Sequence, residues 1–326
     1  MSQIINKRVL VTGGAGFIGS NIIDKLLTQN NQVVCLDNFS NGKRENIAHH
    51  LSNPAFQLIE GDIRDLQTCK KATAGMDIVL HQAALGSVPR SINDPITSND
   101  VNGSGFLNVL VASRNSGVKR IVYSASSSTY GDNEEMPKIE DRIGKPLSPY
   151  AVTKYVNELY ASVFSNVYDM DLIGLRYFNV FGPRQDPNGA YAAVIPLFVK
   201  ALMQKQSPKI NGDGSYSRDF TYVANVVQAN ERAATVDNSL AVNTVYNVAC
   251  GSRITLNELV GSIKELLMRY DEEVAQVKPE YGPVRLGDVP HSLASIEKAQ
   301  RLLEYQPSHQ FHDGLKEAIG WYWKNI

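Results

Sequence analysis

A tyrosine and a lysine lie four positions apart in the sequence Tyr150-Ala-Val-Thr-Lys154. On a helix this spacing puts the phenol and the ammonium on one face, one turn apart. A neighbouring ammonium favours the phenolate, so we expect Lys154 to lower the pKa of Tyr150 from about 10 toward neutrality. Such a phenolate can take a proton from a hydroxyl group, and Ser126 can donate to, or relay a proton from, the same oxygen. The serine run 124–128 by itself is equally typical of a polar exit from a strand.

A glycine-rich turn near the start of the chain places glycines at 13, 14, 16 and 19, between an apolar run and a helical pattern. In that context Gly-x-Gly-x-x-Gly predicts a dinucleotide-binding turn, whose backbone approaches a pyrophosphate at a helix N-terminus. Asp37 ends the second predicted strand. A carboxylate there can accept both ribose hydroxyls of NAD and would repel the 2′-phosphate of NADP. We therefore expect NAD as the cofactor, and its cationic nicotinamide would also favour the Tyr150 phenolate.

These residues need a framework that brings strand ends together at one edge. The first half of the chain alternates apolar strand-like runs with helical patterns, and unbroken apolar strands indicate helices on both faces of a sheet. We predict an α/β fold, a doubly wound parallel sheet of the Rossmann type, with the Tyr–Lys helix opening directly after the fifth strand. The predicted strands are Val9–Val11, Val33–Leu36, Phe56–Ile59, Ile78–Leu80, Arg120–Tyr123 and Leu172–Leu175. The predicted helices are Phe17–Leu27, Ile96–Ser116 and Pro149–Val167.

The pattern changes after about Phe178, where glycine, proline and polar turns become denser. We expect residues 1–178 to form an NAD-binding domain and residues 179–326 a smaller α/β lobe that closes over the carboxyl edge of the sheet. The boundary is expected to be discontinuous, with a strand near 245–248 returning to the sheet. The helices predicted in this lobe are Ala192–Gln204, Val223–Thr235, Leu256–Met268, Ser295–Leu303 and His312–Trp323.

The overall composition excludes several classes of protein. The 326 residues include 32 Lys and Arg and 33 Asp and Glu, a net charge of −1, so neither disorder nor the broad basic surface of a nucleic-acid binder is expected. Three cysteines are too few and too far apart for a disulfide framework or a zinc ribbon, which predicts reduced thiols and no metal site. With no signal peptide and no apolar run near the ~20 residues of a membrane span, we expect a cytoplasmic protein.

Together the motifs resemble those of extended short-chain dehydrogenases/reductases, in particular the nucleotide-sugar epimerases that include UDP-glucose and UDP-N-acetylglucosamine 4-epimerases. The resemblance covers almost the whole chain. It is carried by Gly13–Gly19, Asp37-Asn38, Gly61–Arg64, His81–Ala84, Asn102 with Gly105, Ser126 with Tyr150 and Lys154, Arg176–Arg184, and Arg218–Val223.

The resemblance implies roles for the matching positions and a homodimer that packs helices around Ile96–Ser116 and Pro149–Val167. Ser126, Tyr150 and Lys154 would be catalytic. The implied cofactor contacts are Gly13, Gly16, Phe17, Ile18, Gly19, Asp37, Asn38, Asp62, Ile63, Gln82, Ala83, Ala84, Asn102, Tyr150, Lys154 and Tyr177. The implied substrate contacts are Gly86, Ser87, Ser126, Ser127, Ser128, Asn179, Ala193, Val194, Ile195, Asn211, Arg218, Arg285, Asp288 and Ser292. The two arginines would grip a diphosphate, for which paired guanidinium groups are suited.

The residues directly after Ser126 distinguish the enzymes of this branch that catalyse different reactions. The 4,6-dehydratases of the family carry an Asp-Glu pair there and the glucuronate decarboxylases usually a Glu, whereas this chain has Ser127-Ser128-Thr129. Epimerisation at C4 needs one acid–base group and a hydride acceptor, so we predict an NAD-dependent C4 epimerase of UDP-hexoses that works through a transient 4-keto sugar. A decarboxylase or dehydratase is the enzymatic alternative. A non-catalytic NAD(P) sensor is the alternative of another class, although such proteins typically lose the Tyr–Lys pair.

Ser292 bears on the choice of sugar. Epimerases of this family that are limited to glucose and galactose commonly have a tyrosine at this position, after the equivalent of His291. A serine leaves room for a 2-acetamido group, and Gly86 and Ala193 are small as well. We therefore predict interconversion of UDP-N-acetylglucosamine and UDP-N-acetylgalactosamine, as in bacterial surface-polysaccharide pathways. Plain and uronic UDP-hexoses stay open.

Overall fold

The computed structural model describes residues 3–189, 192–284 and 289–326. Its strands are β1 Arg8–Thr12, β2 Gln32–Asp37, β3 Phe56–Glu60, β4 Ile78–His81, β5 Arg120–Ser126, β6 Asp171–Tyr177, β7 Val180–Phe181, β8 Lys209–Asn211, β9 Ser217–Arg218, β10 Thr221–Tyr222, β11 Thr244–Val248, β12 Ile254–Thr255 and β13 Glu280–Gly282. Its α-helices are α1 Phe17–Leu27, α2 Leu66–Thr73, α3 Val88–Asn93, α4 Pro95–Asn99, α5 Gly105–Asn115, α6 Pro149–Tyr168, α7 Val194–Met203, α8 Val223–Thr235, α9 Leu256–Leu267, α10 Glu297–Leu303 and α11 Phe311–Asn325.

Seven parallel strands form one sheet in the order β11-β6-β5-β4-β1-β2-β3. From β1 the chain runs outward to β3 and then returns to β4 on the other side of β1. The loops after β1 and β4 therefore separate toward opposite faces, and a crevice opens between them at the carboxyl ends of the strands. This arrangement confirms the predicted doubly wound parallel sheet.

Two apolar layers enclose the sheet because neighbouring residues of a strand face opposite sides. In β1, Val9 and Val11 belong to the core shared with α1 and α8, whereas Leu10 belongs to the core shared with α2, α5 and α6. Both layers are buried, as expected from strands whose central positions are mostly apolar on both faces. The polar side chains at the strand ends are therefore carried by strands that are buried on both faces.

A second lobe has its own core, in which α7, α9 and α11 pack together around Phe198, Leu259, Ile263 and Leu315. Three small strand pairs border it: β7 with β10, β8 with β13, and β9 with β12. The chain enters this lobe after β6 but does not stay there. Helix α8 packs against α1 beside the sheet, and β11 pairs with β6 as its edge strand, so residues after 178 contribute to both bodies.

The structure corrects the sequence-based boundaries in three places. The helix expected over Ile96–Ser116 consists of α4, a π-helical turn at Asp100–Ser104, and α5. Helix α6 does not follow β5 directly, because a 3₁₀ turn at Ser127–Tyr130 and the loop 131–148 come between them. Helix α2 was not predicted, since its apolar positions are few and it is defined mainly by its cap, where Asp65 accepts bonds from two backbone N–H groups.

The remaining short turns are 3₁₀ helices at Arg44–Asn46, Ala48–His50, Ser239–Ala241 and Glu272–Gln276. None of the helices in the described ranges has the length and apolarity that crossing a bilayer requires.

Candidate active site

The glycine-rich turn between β1 and α1 brings backbone segments close together. A Cβ atom at Gly13, whose φ is +66°, would lie 2.7 Å from the Cα of Ala83, and one at Gly19 would lie 2.2 Å from the carbonyl oxygen of Gly13. Helix α1 begins without a side-chain cap and without an acidic residue in its first turn. Its N-terminus therefore keeps N–H groups and a positive dipole end for an anionic ligand, as a dinucleotide pyrophosphate requires.

Asp37 stands at the end of β2, across the turn. Its carboxylate oxygens accept bonds from the backbone N–H groups of Ala15 at 2.9 Å and Phe39 at 2.8 Å. Burial raises the pKa of Asp37 above its usual value, and the hydrogen bonds from these backbone donors offset only part of that rise. A Cβ at Gly42 would lie 2.8 Å from the same carboxylate, so the opposite wall of the crevice is also close. The turn and the carboxylate thus face one narrow space.

A cavity of about 520 Å³ runs from the glycine turn to Asp37. At its far end Asn38 donates to Asp62 at 2.8 Å, and hydrogen bonds from Arg64 lower the pKa of Asp62 to about 2. The expected cofactor residues that line this cavity are Gly13, Gly16, Asp37, Asn38, Asp62, Ile63, Gln82, Ala83 and Ala84. An open cradle of glycines at one end and carboxylate and amide acceptors at the other fit a pyrophosphate and a ribose, respectively.

A second cavity, of about 650 Å³, lies at the ends of β4, β5 and β6. The proposed acid–base residues line it, Ser126 from the end of β5 and Tyr150 and Lys154 from α6. Lys154 is 2% exposed, and its Nζ donates to the carbonyl oxygen of Ser124 at 2.8 Å and to its hydroxyl at 3.2 Å. Burial lowers the pKa of Lys154 to about 8. The expected residues that line this cavity are Ile18, Gln82, Ala84, Gly86, Ser126, Tyr150, Lys154, Tyr177 and Asn179.

The pKa of Tyr150 is not lowered in the polypeptide alone, without the bound nicotinamide that the expectation also included. Burial raises the pKa of Tyr150, and a hydrogen bond with Ser126 offsets part of that rise. The ammonium of Lys154 is 6.0 Å from the centre of the Tyr150 ring and is bonded to Ser124. Loss of solvent around the phenol therefore outweighs the charge one turn away.

Ser126 makes hydrogen bonds besides the one with the Tyr150 phenol. Its hydroxyl accepts bonds from the backbone N–H of Ser128 at 3.2 Å and from the Ser128 hydroxyl at 2.9 Å, so Ser126 also caps the turn that follows β5. This turn directs Ser127 and Ser128 toward a third cavity. The serine run is therefore both a strand exit and part of the cavity wall.

Two further cavities share a lining residue with the acid–base site. One, of about 950 Å³, is lined by Ser127, Ser128, His291 and Ser292, and the other, of about 890 Å³, by Ala193, Val194, Ile195 and Asn211. Arg218 lines both of these, and Asn179 lines both of them and the acid–base cavity as well. A guanidinium nitrogen of Arg218 donates to the carbonyl oxygens of Ser217 at 2.9 Å and Pro290 at 3.0 Å, which hold it between the two spaces.

Four of the expected site residues make contacts that support the surrounding fold. Asn102 accepts a bond from the backbone N–H of Leu85 at 2.7 Å and donates to its carbonyl oxygen, so it supports the cavity wall from behind. Ser87 caps α3, and Phe17 packs on the core of the second lobe. Gly19 is needed for the close approach of α1. Arg285 and Asp288 lie outside the described residues.

Sequence reasoning missed two buried polar groups at the site. Asp219, whose pKa burial raises to about 7, accepts bonds from the backbone N–H groups of Cys250, Gly251 and Ala294, and so anchors the segment next to Arg218. Its position within the Arg218–Val223 motif was the available signal. Asn230 of α8 bonds both Gln82 at 3.1 Å and the Tyr177 hydroxyl at 2.9 Å, and nothing in the sequence indicated it.

One group of potential metal ligands occurs among the described residues. Asp24, His49 and His50 place their ligand atoms within 4.8 Å of one another, but Asp24 is already paired with Arg184. None of the three lines the cavities described above. The absence of a metal site therefore stays a prediction.

The comparison with known families gives one match over most of the chain. Residues 9–249 match the model described as "NAD dependent epimerase/dehydratase family". This span includes the glycine turn, Ser126, Tyr150 and Lys154, and Arg218.

Named relatives extend over nearly the full length. The chain is 36% identical to the UDP-glucose 4-epimerase of Mycolicibacterium smegmatis, over 96% of this chain and 97% of the relative. It is 40% identical, with a TM-score of 0.90, to the UDP-N-acetylglucosamine 4-epimerase of Methanobrevibacter ruminantium M1 solved with UDP-N-acetylmuramic acid, over 99% and 100% of the two chains. The UDP-glucose 4-epimerase of Thermus thermophilus, solved with NAD, is 32% identical with a TM-score of 0.85, over 98% and 100%.

Proposed function

Because the chain belongs to the NAD-dependent epimerase/dehydratase family, we propose that it interconverts UDP-N-acetylglucosamine and UDP-N-acetylgalactosamine by inverting C4. It is a nucleotide-sugar 4-epimerase with NAD as its cofactor. The choice of an N-acetylated hexose as the substrate is the proposal.

The lining of the 950 Å³ cavity is the observation that carries this proposal. Ser127, Ser128 and Ser292 line part of it with small hydroxyl-bearing side chains, where we propose that a 2-acetamido group is accommodated. Among the described residues, no Asp or Glu lines this cavity or the acid–base cavity. A dehydratase needs a further carboxyl group to eliminate at C5 and C6, so the lining favours epimerisation.

Each group of the site has a proposed task. When bound, NAD would supply the acceptor for a hydride from C4 and the donor that returns it to the other face of the 4-keto sugar. Tyr150 removes the proton from the C4 hydroxyl, directly or through Ser126, and gives it back at the end. Lys154 holds the ribose beside the nicotinamide and contributes a positive charge that favours the phenolate. Arg218 and Asn179 hold the diphosphate, so the sugar can turn over without leaving the cavity.

The substrate assay that tests this uses the purified protein with UDP-N-acetylglucosamine, UDP-glucose and UDP-glucuronate in parallel, with the nucleotide sugars separated after incubation. We expect the C4 epimer of the N-acetylated sugar. Epimers of the other two sugars alone would contradict the proposed substrate. Carbon dioxide from UDP-glucuronate would indicate a decarboxylase, and no conversion of any sugar would indicate a binding protein.

The role of Ser292 has its own test. Ser292→Tyr places a bulky ring in the cavity. We expect this change to lower kcat/KM for UDP-N-acetylglucosamine at least about tenfold more than kcat/KM for UDP-galactose. A tenfold difference corresponds to a steric cost of about 1.4 kcal/mol for the N-acetylated substrate alone. Ser292→Ala keeps the space and serves as the control, with little expected change. Equal loss for both sugars in the tyrosine variant would count against the pocket assignment.

We also propose that the protein is a homodimer. Helix α6 exposes Leu159, Val163 and Val167, which are 50%, 53% and 63% accessible and recur every fourth residue on one side. Ile96 of the neighbouring helix α4 is 75% accessible. An apolar stripe of this kind favours packing against a second copy. The cytoplasmic location and the place in polysaccharide synthesis stay predictions.

A further inference from the structure

A buried ion pair lies one helical turn beyond the proposed acid–base residues. Both oxygens of Glu158, four residues after Lys154 on α6, accept bonds from Arg176 of β6: Nε at 2.9 Å and Nη2 at 2.7 Å. The side chains of Glu158 and Arg176 are 8% and 3% exposed. The pair therefore ties α6 to the sheet directly behind the acid–base cavity.

The pair is held from several sides. The Nη1 of Arg176 donates to the carbonyl oxygen of Glu140 at 2.8 Å, and its guanidinium carbon is 4.9 Å from the centre of the Tyr130 ring. Exchanging such a buried pair for apolar side chains is often neutral or favourable for stability, because desolvating two charges is costly. Stability alone therefore gives a weak reason for a carboxylate at this position.

The other titratable groups around Lys154 carry little charge near neutral pH. Burial lowers the pKa of His81 on β4 to about 3, so its imidazole is neutral. Burial raises the pKa of Tyr150, raises that of Tyr177 on β6 to about 12, and raises that of Tyr123 on β5 well above its usual value. Glu158 opposes the effect of burial on the Lys154 amine through its negative charge.

We propose that Glu158 is a positioning residue: held by Arg176, it keeps the Lys154 amine in its charged form from the next turn of α6. Lys154 meets the ligands, Glu158 acts on Lys154, and Arg176 stops the carboxylate from turning toward the amine and forming a direct ion pair. The Lys154 amine thus remains available to Ser124 and to the ligands. The inference rests on the proposed role of Lys154 in the 4-epimerase.

The first experiment titrates Lys154 itself and needs no turnover. In protein labelled with ¹³C-lysine, the Lys154 side-chain resonance is assigned by its disappearance in a Lys154→Met variant and followed against pH. The charged amine is lost as pH rises through its pKa, which burial places near 8. Removing a nearby anion lowers that pKa, so in Glu158→Gln we expect the midpoint to move down by about one pH unit. An unchanged midpoint would overturn the proposal.

The second experiment is the pH profile of kcat on whichever UDP-hexose the wild type converts. In Glu158→Gln we expect the fall of kcat at alkaline pH to occur at a lower pH, displaced by the same amount as the Lys154 midpoint. We expect KM to stay unchanged. Asp171→Asn breaks a different ion pair, in which Arg120 of β5 binds Asp171 of β6 at 2.9 Å, and should leave the alkaline limb in place. A shifted Lys154 titration in a protein that converts no sugar would refute the proposed function and leave this inference standing.

A double variant separates charge from structure. Glu158→Gln leaves Arg176 buried and unpaired, so it can fail to fold for that reason alone. Glu158→Gln with Arg176→Met removes both charges. We expect it to fold and its midpoint to lie below that of the wild type but above that of Glu158→Gln, because the carboxylate is missing and the cation of Arg176 no longer lowers the Lys154 pKa. A return to the wild-type midpoint and pH profile in the double variant would show a purely structural pair and overturn the proposal.

Discussion

At the scale of single residues, Tyr150 and Lys154 are an unusual pair because burial disfavours the charged form of each. It raises the pKa of Tyr150 and lowers that of Lys154 to about 8. In the polypeptide alone the phenol therefore keeps its proton, while the amine is close to losing one at slightly alkaline pH. Bound ligands that add positive charge or hydrogen bonds to the phenolate would be needed to make Tyr150 a base. We infer that the pair becomes active only when the site is filled.

Tyr150→Phe tests the residue that moves the proton. The change removes one hydroxyl and keeps the ring, so we expect turnover to fall at least about 10²-fold, the lower range for a lost general base, while NAD and UDP-sugar still bind. Turnover is measured by product separation and binding by calorimetry. Tyr155→Phe, on the same helix but outside the acid–base cavity, is the control and should retain activity. Near-wild-type turnover in Tyr150→Phe would contradict the assignment.

At the scale of elements, the turn from β1 to α1 depends on close contact between backbone segments. Gly19 is in the first turn of α1, and an added Cβ would lie 2.2 Å from the Gly13 carbonyl oxygen and 2.8 Å from the Gly14 Cα. Those neighbours are backbone atoms of the cradle itself. A side chain at this position must therefore push α1 away from the sheet and change the cavity in which we expect the pyrophosphate to bind.

Gly19→Ala should destabilise the fold and weaken cofactor binding together. We expect the free energy of unfolding to fall by about 1–3 kcal/mol, as for other overpacked positions, and the affinity for NAD to fall with it. Denaturant unfolding and calorimetric titration measure the two effects. Gly261→Ala is the matched control, since it is also helical and has no atom within 4 Å of an added Cβ; it should be neutral or stabilising. Unchanged NAD affinity in Gly19→Ala would contradict this account of the turn.

At the scale of the whole molecule, positive charge is concentrated at a few places rather than spread over the surface. The net charge of −1 excludes a broad basic surface, yet both ligands of the proposed reaction are diphosphates. The uncapped N-terminus of α1 serves one cavity, and Arg218 lies between the two cavities of the other lobe. Asn179 lines three of the cavities, so the two cavities that we propose for the substrate adjoin the acid–base site at this residue.

The proposed dimer can be tested by placing a charge on its surface. Val163→Asp puts a carboxylate in the middle of the exposed stripe of α6, where a second copy would bury it without a partner, so we expect a dimer in the wild type and a monomer in the variant. Light scattering after gel filtration gives the mass of each. Leu240→Asp alters a more exposed apolar side chain, 76% accessible, on the Ser239–Ala241 turn, and should remain dimeric. A monomeric wild type would refute the dimer.

The sequence alone was sufficient for the features that depend on local pattern. Unbroken apolar runs and helical periodicity predicted the parallel sheet, and helices α1 and α8 begin and end at the predicted residues. The glycine spacing predicted the turn at the cofactor cavity, because backbone freedom and close approach are properties of glycine itself. The weak apolar pattern of α2 did not predict a helix, since its cap and its packing define that helix.

Only the tertiary structure decided how the groups of the site act on one another. Spacing placed Lys154 beside Tyr150, but burial reversed the expected direction of the Tyr150 pKa, and the Lys154 amine is bonded to Ser124. Asn102, expected at the cofactor, supports Leu85 from behind the wall. Desolvation and long-range contacts depend on which segments pack together, and a pattern along the chain does not record them. The sequence therefore indicated the residues that we propose to react, and the packed fold determined their burial and their partners.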